Sequence, residues 1–237
     1  MVTKIVFATG NVHKLKEINE ITQKYPSLET LPNKTIDYRF VRGRSKSLIS
    51  GRGQIEFVLP PEGFDPVEDG ETFEENSLIK AREAARLSGM ISLADDSGLC
   101  VEALNGAPGI YSARYAETAQ ARIDKLLKEL ENVPSLGGGL GRGLNRRAKF
   151  VCAMTLVDAD GKVLFQTRGE CHGEIARKQA GVNGFGYDPV FLVEPSPSLP
   201  LPRRGKKVTM AELSEEEKNE ISHRGKALRK VLEYLKN

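Results

Sequence analysis

The stretch "ETFEENSLIKAREAARLSGMISLADD", residues 71–96, contains the patterns of a helix and a strand in direct succession. Thr72 with Glu75 three residues later has the pattern of a capping box, and Gly89 is a typical helix stop. Between them, apolar residues recur at helical spacing: Leu78, Ala81 and Ala85. The apolar run "ISLA" that follows predicts a strand. A helix that leads directly into a strand is typical of α/β proteins.

The flanking segments continue this alternation. Upstream, "KIVFA" predicts a strand that leads through "TGN" into a helix with Leu15, Ile18 and Ile21 at helical spacing. Downstream, Thr118 is the expected N-cap of a third helix. Farther on, "KFVCAMTLVDADGKVLFQTRG" predicts a hairpin of two long strands joined at Asp160-Gly161.

The C-terminal part adds another strand and more helix. "YDPVFLV" predicts a strand that begins at Asp188, and Ser214 with Glu217 predicts a capping box before the final helical region. Together these patterns predict an α/β fold with a mixed central sheet and flanking helices.

Composition limits the classes of protein and of partner. A chain of 237 residues with 39% hydrophobic residues can bury one sizeable core, so we expect a single domain, 1–237. The net charge of +3 provides no overall basic field for nucleic acid or an anionic membrane. Three cysteines without C-x-x-C spacing are expected to be reduced thiols: Cys100, Cys152 and Cys171. The N-terminal apolar run "IVFA" is too short for a signal peptide or a membrane span, so we expect a cytoplasmic protein.

Three segments depart from the pattern and are interpreted as insertions, near 34–60, 135–147 and 195–207, because they are rich in charge, glycine or proline. Within the first, residues 34–53 contain six Lys or Arg against one acid. This basic segment favours a solvated loop, with a flap that attracts anionic triphosphate as the alternative. The chain contains neither a G-x-G-x-x-G fingerprint nor a Walker loop.

The turn "TGNVHK" is the first candidate for chemistry, because a strand that turns into a helix presents backbone N–H groups that suit a phosphate. Thr9, Gly10 and Asn11 would supply donors and close backbone approach, and Lys14 would supply a charge for a triphosphate. Alternatively, Asn11 is an ordinary N-cap and Lys14 a solvated lysine.

Asp95 and Asp96 are adjacent at the expected end of the strand "ISLA". Neighbouring residues of an extended chain point to opposite sides, so one carboxylate can face a ligand while backbone N–H groups hold the other. A Mg²⁺ ion would relieve their repulsion and fix a water for attack on phosphorus. The alternative is an Asp-Ser-Gly turn whose side chains bond the local backbone.

An acidic run precedes the helix that carries Lys80, and it could bring further carboxylates to this site: Glu68, Asp69, Glu71, Glu74 and Glu75. Glu75 is explained by the capping box and is therefore not assigned to a metal.

Two C-terminal motifs suggest a pocket for a nucleobase. In "GVNGFGYDPVF", residues 181–191, glycines around Phe185 allow close approach of a flat ligand, and the ring offers a stacking face. A glycine-rich turn with a core Phe is the alternative. In "EEEKNEISHRGKAL", four polar residues fall within two helical turns, although a solvated helix face explains them as well: Lys218, Ser222, His223 and Arg224.

Six sequence motifs resemble those of the inosine triphosphate pyrophosphatase family, in this order along the chain: "ATGNVHK", "TFEEN", "LADDSGL", "GAPGIYSARYA", "GFGYDPVF" and "MAELSEEEKNEISHRGKAL". The resemblance implies a two-lobed α/β fold around a cleft (ITPase-like), a homodimer, and Mg²⁺-dependent hydrolysis of ITP, dITP and XTP to the monophosphate and pyrophosphate. Such an enzyme removes non-standard purine nucleotides from the nucleotide pool.

The resemblance also assigns roles to residues of this chain. Asp96 matches the general base and a metal ligand, with Asp95 and Glu68 as the other metal carboxylates. The remaining matches are substrate-binding residues: Lys14, Lys80, Ser97, Phe185, Gly186, Tyr187, Asp188, Lys218, His223 and Arg224. The insertion before residue 60 makes Glu68 the position most sensitive to alignment.

Two other functions are compatible with parts of the sequence. A pyrophosphatase for pyrimidine or modified nucleotides would share the same phosphate chemistry. A nucleic-acid-binding module would use the basic segment and bind in a salt-sensitive way without hydrolysing triphosphates. Because the catalytic motifs are complete, the purine triphosphate substrate is the favoured prediction.

Overall fold

The computed structural model describes residues 2–24, 54–133, 145–193 and 207–236. Strands and α-helices follow one another along the chain as β1 (Val2–Phe7), α1 (Val12–Gln23), β2 (Gln54–Val58), α2 (Phe73–Ser88), β3 (Ser92–Val101), α3 (Ala119–Glu131), β4 (Arg147–Val157), β5 (Val163–Ile175), β6 (Phe191–Val193), β7 (Val208–Thr209), α4 (Glu215–Ile221) and α5 (His223–Lys236). Short 3₁₀ turns connect several of them, at Glu102–Leu104, Gly109–Arg114, Asp188–Val190 and Met210–Glu212.

In the described residues, the strands form one sheet in the order β2-β1-β3-β4-β5-β6-β7. β1 pairs in parallel with β2 and β3, whereas β6 pairs antiparallel with β5 and β7. The sheet is therefore mixed, and the predicted α/β class is confirmed. None of the helices in the described ranges is long and apolar enough to cross a bilayer.

The chain divides into two compact units, and the single domain expected over 1–237 stays a prediction. Of the described residues, unit 1 takes those within Met1–Asp96, Cys152–Arg168 and Gly225–Asn237. Unit 2 takes those within Ser97–Val151 and Gly169–Arg224. The boundaries fall inside β3, β4, β5 and α5, so each of these elements contributes residues to both units.

In unit 1, alternate residues of the strands pack into two separate hydrophobic clusters. Phe7 of β1 and Leu93 of β3 belong to a cluster with α1 and α5. Their neighbours Val6 and Ala94 belong to a cluster with α2. Because successive strand residues point to opposite faces, α1 and α2 cover opposite sides of these strands. Unit 2 has its own cluster, built from α3 and the ends of β3 to β6.

The predicted helix starts are confirmed. Thr72 and Glu75 form the capping box of α2, and Gly89 ends this helix in the left-handed conformation at φ 65°. Thr118 caps α3, and Ser214 with Glu217 forms the capping box of α4. The predicted hairpin is also present, because the Asp158 N–H donates to the Lys162 carbonyl at the turn between β4 and β5.

Two predicted boundaries were wrong, and one break in the C-terminal helical region was not predicted. β3 does not end at the two aspartates but continues to Val101, with residues 95–98 inside the strand. The "YDPVFLV" strand begins only at Phe191, because Asp188–Val190 forms a 3₁₀ turn around the proline. The C-terminal helical run breaks at Ser222, which has an extended backbone at ψ 152° between α4 and α5.

Two short strands were not predicted. β2 falls within the segment 34–60 that was interpreted as an insertion, and it pairs in register with β1 from Gln54 opposite Val2. β7 adds two residues beside β6. The rest of that segment up to residue 53, most of 135–147 and nearly all of 195–207 lie outside the described residues. The three cysteines form no disulfide within the described residues, and Cys152 and Cys171 are buried.

Candidate functional site

The turn before α1 is organised mainly by its own side chains. Asn11 is the N-cap, and its Oδ1 accepts hydrogen bonds from the N–H groups of His13, at 2.9 Å, and Lys14, at 3.4 Å. Thr9 Oγ1 accepts the Asn11 N–H at 3.1 Å. The capping alternative for Asn11 is therefore correct, and two amides at the start of the helix already have a partner. Gly10 keeps open space where a side chain would project, which leaves room for a ligand at the backbone.

Strand alternation separates the two aspartates of β3. Leu93 packs on the side of α1 and Ala94 on the side of α2, and the next two residues repeat this order. Asp95 contacts Lys14 of α1, whereas Asp96 contacts Lys80 of α2. Both carboxylates are buried within a strand, so the alternative of an Asp-Ser-Gly turn is wrong. Ser97, the next residue, is partly buried.

Lys14 lies against Asp95 instead of extending into solvent. Its Nζ is 3.1 Å from both carboxylate oxygens, and Asp95 is only 1% exposed. Burial makes an isolated carboxylate costly, and a nearby ammonium offsets that cost. The solvated-lysine alternative for Lys14 is therefore wrong.

Lys80 lies between two carboxylates. Its Nζ is 2.9 Å from Glu68 Oε2 and 3.1 Å from Asp96 Oδ1. Lys80 and Asp96 are buried, whereas the Glu68 side chain is about one third exposed. Glu68, the position most sensitive to alignment, is thus placed in direct contact with the same ammonium as Asp96.

The electrostatics of this group favour a proton acceptor at Asp96. Burial raises the pKa of Asp96 above its ordinary value, and the charges of Glu68 and Asp95 add to the rise against the opposing attraction of Lys80. Burial lowers the pKa of Lys80, but the attraction of Asp96, Asp95 and Glu68 outweighs it, so the net direction is upward. Lys80 therefore stays charged beside a carboxylate that binds a proton more readily than usual.

The described carboxylates could provide two ligands for Mg²⁺ but do not form a complete metal cluster. Within the described residues, no group of three or more His, Cys, Asp and Glu side chains is arranged as a metal cluster. Mg²⁺ requires less, because it is usually held by one or two carboxylates, waters and substrate phosphates. Asp96 Oδ2 is buried and has no hydrogen-bond partner among the described residues, and such an oxygen suits a cation. Asp96 and Glu68 share one ammonium and are the best-placed pair, while the Asp95 carboxylate is directed to Lys14.

In unit 2, a glycine loop holds Phe185 at the surface. Gly184 has φ +76°, and a Cβ there would lie 2.1 Å from Asp188 Oδ2. That oxygen accepts the Phe185 N–H at 2.8 Å. The Phe185 ring is 42% exposed, so it can serve as a stacking face, and the alternative of a core Phe is wrong. Gly186, at φ +63°, leaves open space beside it.

Lys218 of α4 connects the helix to this loop. Its Nζ is 2.7 Å from Asp188 Oδ2 and 4.4 Å from the centre of the Phe185 ring. The ion pair is buried on both sides. Asp188 therefore fixes the backbone of the loop and a lysine through one oxygen, and the alternative of a solvated helix face does not apply to Lys218.

The Tyr187 side chain serves the fold of unit 2. Its hydroxyl donates to the Ser112 carbonyl at 3.0 Å, and the residue is buried. Burial raises the pKa of Tyr187 to about 12. Ser112 in turn accepts the Leu99 N–H through its hydroxyl oxygen at 2.8 Å. Tyr187 thus anchors the loop that carries Phe185, and its predicted contact with a substrate would not use the hydroxyl.

His223 and Arg224 begin α5 and are both buried. The His223 ring stacks on Phe150 with 4.8 Å between centroids. The Arg224 guanidinium lies 5.8 Å from the centre of the Phe185 ring, and Arg224 is only 2% exposed. Because both side chains are buried, the alternative of a solvated helix face does not apply to them either.

Comparison with known proteins identifies the family. A model described as the Ham1 family matches residues 5–234. The chain belongs to the Ham1 family. The chain is 47% identical to a dITP/XTP pyrophosphatase of Bacillus cereus over 240 residues, covering 98% of this chain and 94% of the relative. It is 39% identical to a dITP/XTP pyrophosphatase of Shigella flexneri, with coverage of 99% and 98%.

Solved Ham1 structures have the same fold. A HAM1 protein from Coxiella burnetii superposes with a TM-score of 0.71 at 36% identity, and 98% of each chain is covered. The Ham1 protein of Staphylococcus aureus gives a TM-score of 0.68 at 35% identity, again with 98% of each chain covered. The predicted resemblance to the pyrophosphatase family is confirmed.

In this Ham1 chain, each compact unit carries one group of predicted site residues. The charged group of unit 1 is defined here as Lys14, Glu68, Lys80, Asp95 and Asp96, and the base group of unit 2 as Phe185, Asp188, Lys218, His223 and Arg224. The sequence-based predictions did not point to Asn76, whose Oδ1 accepts the N–H of Gly70, two residues after Glu68. The signal was present, because Asn76 is a polar residue in the segment "TFEEN", three residues after Phe73 and four before Lys80, and this spacing places it on the buried face of α2.

Proposed function

We propose that the chain is a nucleoside triphosphate pyrophosphatase that hydrolyses ITP, dITP and XTP to the monophosphate and pyrophosphate. The observation that carries this function is Asp96, a buried carboxylate whose Oδ2 has no hydrogen-bond partner in the described residues, next to Lys80. The Ham1 relatives from Bacillus cereus and Shigella flexneri, both dITP/XTP pyrophosphatases, support the same reaction.

Asp96 acts as the general base of this hydrolysis. A water oxygen attacks the α-phosphorus, and the water proton passes to the Asp96 carboxylate. The bond between the α-phosphorus and the bridging oxygen breaks, and pyrophosphate leaves with the bonding electrons. The raised pKa of Asp96 supports this role, because a base is most effective when its pKa approaches the working pH.

The lysines balance the charge that develops on the leaving group. Asp96 holds Lys80 on the α2 side of β3, and Asp95 holds Lys14 on the α1 side. The two ammonium groups are therefore fixed before a triphosphate arrives. Preorganised charges stabilise a transition state without the cost of reorienting solvent. Mg²⁺, when bound, would supply further charge neutralisation and orient the phosphates. Asp96 and Glu68 would hold it, whereas Asp95, the third carboxylate that the family resemblance implies, pairs with Lys14 on the other face of β3.

The base group of unit 2 selects the purine. The Phe185 ring stacks on the base, and the nearby donors include Lys218 and Arg224, which can only donate hydrogen bonds. These donors suit a 6-oxo group, which accepts hydrogen bonds. The 6-amino group of ATP is itself a donor, so ATP would place a donor against a donor. A polar pocket left unpaired can reject the wrong ligand by ~10⁴ or more, so ATP is excluded without an editing site.

A substrate panel tests this function. Pyrophosphate release is measured from ITP, XTP, dITP, GTP and ATP, each with and without Mg²⁺, with dUTP and 7-methyl-GTP as further substrates. The expected result is Mg²⁺-dependent release from ITP, XTP and dITP that far exceeds release from ATP. Faster turnover of dUTP or 7-methyl-GTP would assign the chain to pyrimidine or modified nucleotides instead.

The chain is further proposed to act as a homodimer in the cytoplasm. The family resemblance supports the dimer, and a substrate drawn from the free nucleotide pool supports the location. Sedimentation equilibrium at several protein concentrations tests the first proposal: a mass of one chain at all concentrations would contradict it. Fractionation of source cells, followed by detection of the protein, tests the second.

A further inference from the structure

Glu68 occupies a segment without helix or strand. Residues 59–72 connect β2 to α2 with turns and irregular backbone. The Glu68 carboxylate nevertheless reaches Lys80, 12 residues away, at 2.9 Å. Irregular surface segments are usually the more mobile parts of a fold. A contact that depends on such a segment therefore needs something that fixes the backbone near residue 68.

A hydrogen bond from the buried face of α2 provides this constraint. Asn76 Oδ1 accepts the Gly70 N–H at 2.9 Å, and Asn76 is only 1% exposed. Asn76 lies one helical turn before Lys80, and Gly70 lies two residues after Glu68. The same side chain thus joins the backbone that carries Glu68 to the helix that carries Lys80.

The approach of the two segments is very close. A Cβ at Gly70 would lie 2.8 Å from Asn76 Oδ1, 2.7 Å from Glu75 Cβ and 3.1 Å from the Asn76 nitrogen. Real Cβ atoms essentially never approach other atoms to within 3.0 Å, as the first two of these distances would require, so any other residue at position 70 would push the segment away from α2. Glu75 adds a second restraint nearer the helix, because its Oε2 accepts the Glu71 N–H at 2.7 Å.

We propose that Asn76 is a positioning residue for the reaction: through Gly70 it places Glu68 against Lys80 and beside Asp96. Asn76 does not touch the substrate in this role, and it acts only through Glu68. With the hydrogen bond lost, the segment moves and Lys80 retains Asp96 as its carboxylate partner. The inference rests on the proposed pyrophosphatase function for its kinetic test and on the hydrogen bond alone for its structural test.

The kinetic test compares two neighbouring truncations. Asn76→Ala removes the acceptor for Gly70, and loss of such a supporting partner typically lowers activity about 10- to 100-fold. The effect should fall on kcat, with KM for ITP within about threefold, because the base group of unit 2 is unchanged. The matched control is Ser77→Ala: Ser77 is fully buried in the same helix, but its hydroxyl contacts Thr155 at 2.7 Å and not the 68–72 segment. Ser77→Ala should lower the melting temperature and leave kcat near wild type.

A double-mutant cycle separates positioning from general damage to the fold. If Asn76 acts through Glu68, Asn76→Ala should lower kcat by no more than about twofold in a Glu68→Gln background, because the contact it supports is already lost. Equal factors in both backgrounds, or an equal loss of kcat in Ser77→Ala, would overturn the proposal. Gly70→Ala gives an independent perturbation that leaves Asn76 in place, and it should reproduce the kcat loss of Asn76→Ala.

Amide hydrogen exchange provides a readout that does not need activity. In Asn76→Ala, the peptide that covers residues 65–72 should exchange at least about tenfold faster, whereas the same peptide in Ser77→Ala should exchange as in wild type. Unchanged exchange in Asn76→Ala would overturn the proposal, whatever the kinetics. Absence of ITP hydrolysis in the wild type would overturn the proposed function alone, because faster exchange would still establish the anchor.

Discussion

The two units place their functional side chains by different means. In the charged group of unit 1, Lys14 of α1 and Lys80 of α2 form ion pairs with two residues of one regular strand, and Glu68 of the segment before α2 pairs with Lys80. In the base group of unit 2, the backbone of a glycine loop determines the geometry, and Asp188 holds that loop through the Phe185 N–H. The first arrangement is electrostatic, and the second depends on backbone conformation.

This difference separates the expected consequences of substitution. Changes in the charged group should alter the chemical step and appear in kcat. Changes in the base group should alter binding and appear in KM. This separation of kcat effects from KM effects holds only if each unit performs one role. Substitutions in both units test it.

Asp96→Asn should have the largest effect. Loss of a general base typically lowers kcat by about 10² to 10⁴, with little change in KM. The measurement is pyrophosphate release from ITP, and the matched control is Asp160→Asn at an exposed turn of the same unit. Turnover near wild type in Asp96→Asn would remove this residue from the chemistry.

The same variant should not be less stable at neutral pH. Burial raises the pKa of Asp96 above its unfolded value, so the folded state binds this proton more tightly than the unfolded state. The free energy of unfolding therefore falls as pH rises from the unfolded pKa through the folded pKa. Asn removes that penalty, and the melting temperature of Asp96→Asn should equal or exceed that of wild type at pH 7. The gain should disappear below the unfolded pKa, and thermal melts across pH check the sign.

Phe185→Ala should have the next largest effect, and this effect should appear in KM instead of kcat. Loss of a stacking face costs about 1 to 3 kcal/mol of binding for nucleic-acid bases, and the loss here should raise KM for ITP at nearly constant kcat. Val182→Ala is the matched control, because Val182 lies on the same loop and is 96% exposed. If Phe185→Ala and Val182→Ala had the same KM for ITP, the role of Phe185 would be structural and not in binding.

Gly184→Ala tests whether loop conformation sets the base group. The added Cβ would press on Asp188 Oδ2 and would hold φ at +76° against the preference of alanine. Loss of one charge-assisted hydrogen bond is worth about 1.5 to 3 kcal/mol, and the lower end of this range corresponds to a rise in KM of about tenfold. Gly63→Ala is the control, because Gly63 also has positive φ, at +86°, but open space around it. A rise in KM for both would mean that strain in general, and not the contact with Asp188, is responsible.

Tyr187→Phe should have the smallest effect. The Ser112 carbonyl would lose its hydrogen bond from the hydroxyl, and a neutral hydrogen bond contributes about 0.5 to 1.5 kcal/mol to the free energy of unfolding. The expected result is a melting temperature lower by about 2 to 4 °C per kcal/mol, with KM for ITP unchanged. A rise in KM with unchanged stability would instead place the hydroxyl on the substrate.

Local signals in the sequence were sufficient for much of the fold. Thr72 with Glu75 and Ser214 with Glu217 predict helix starts, because the capping contacts span only three residues. β2 was missed although "QIEFV" alternates buried Ile55 and Phe57 with exposed Glu56, because the basic run before it dominates that region. β3 was predicted too short, since Asp, Ser and Gly are poor strand formers and only burial in the sheet holds them extended.

The site residues could be named from motifs, but their pairing could not. Lys14 and Asp95 are 81 residues apart, so no local pattern shows that they form an ion pair. The link from Asn76 to Gly70 spans six residues, yet it depends on the path of an irregular segment. The 3₁₀ turn at Asp188 and the break at Ser222 likewise depend on contacts made elsewhere in the fold.

The alternation of β3 also predicts which changes in chain length this fold can accept. Insertion of one residue just before Asp95 would turn its carboxylate toward α2 and that of Asp96 toward α1, because a shift of one position exchanges the faces of a strand. Each lysine would then meet the wrong aspartate. A change of length outside β3, by contrast, leaves this register unchanged. Over evolutionary time, related chains should therefore keep a constant interval from Leu93 to Asp96.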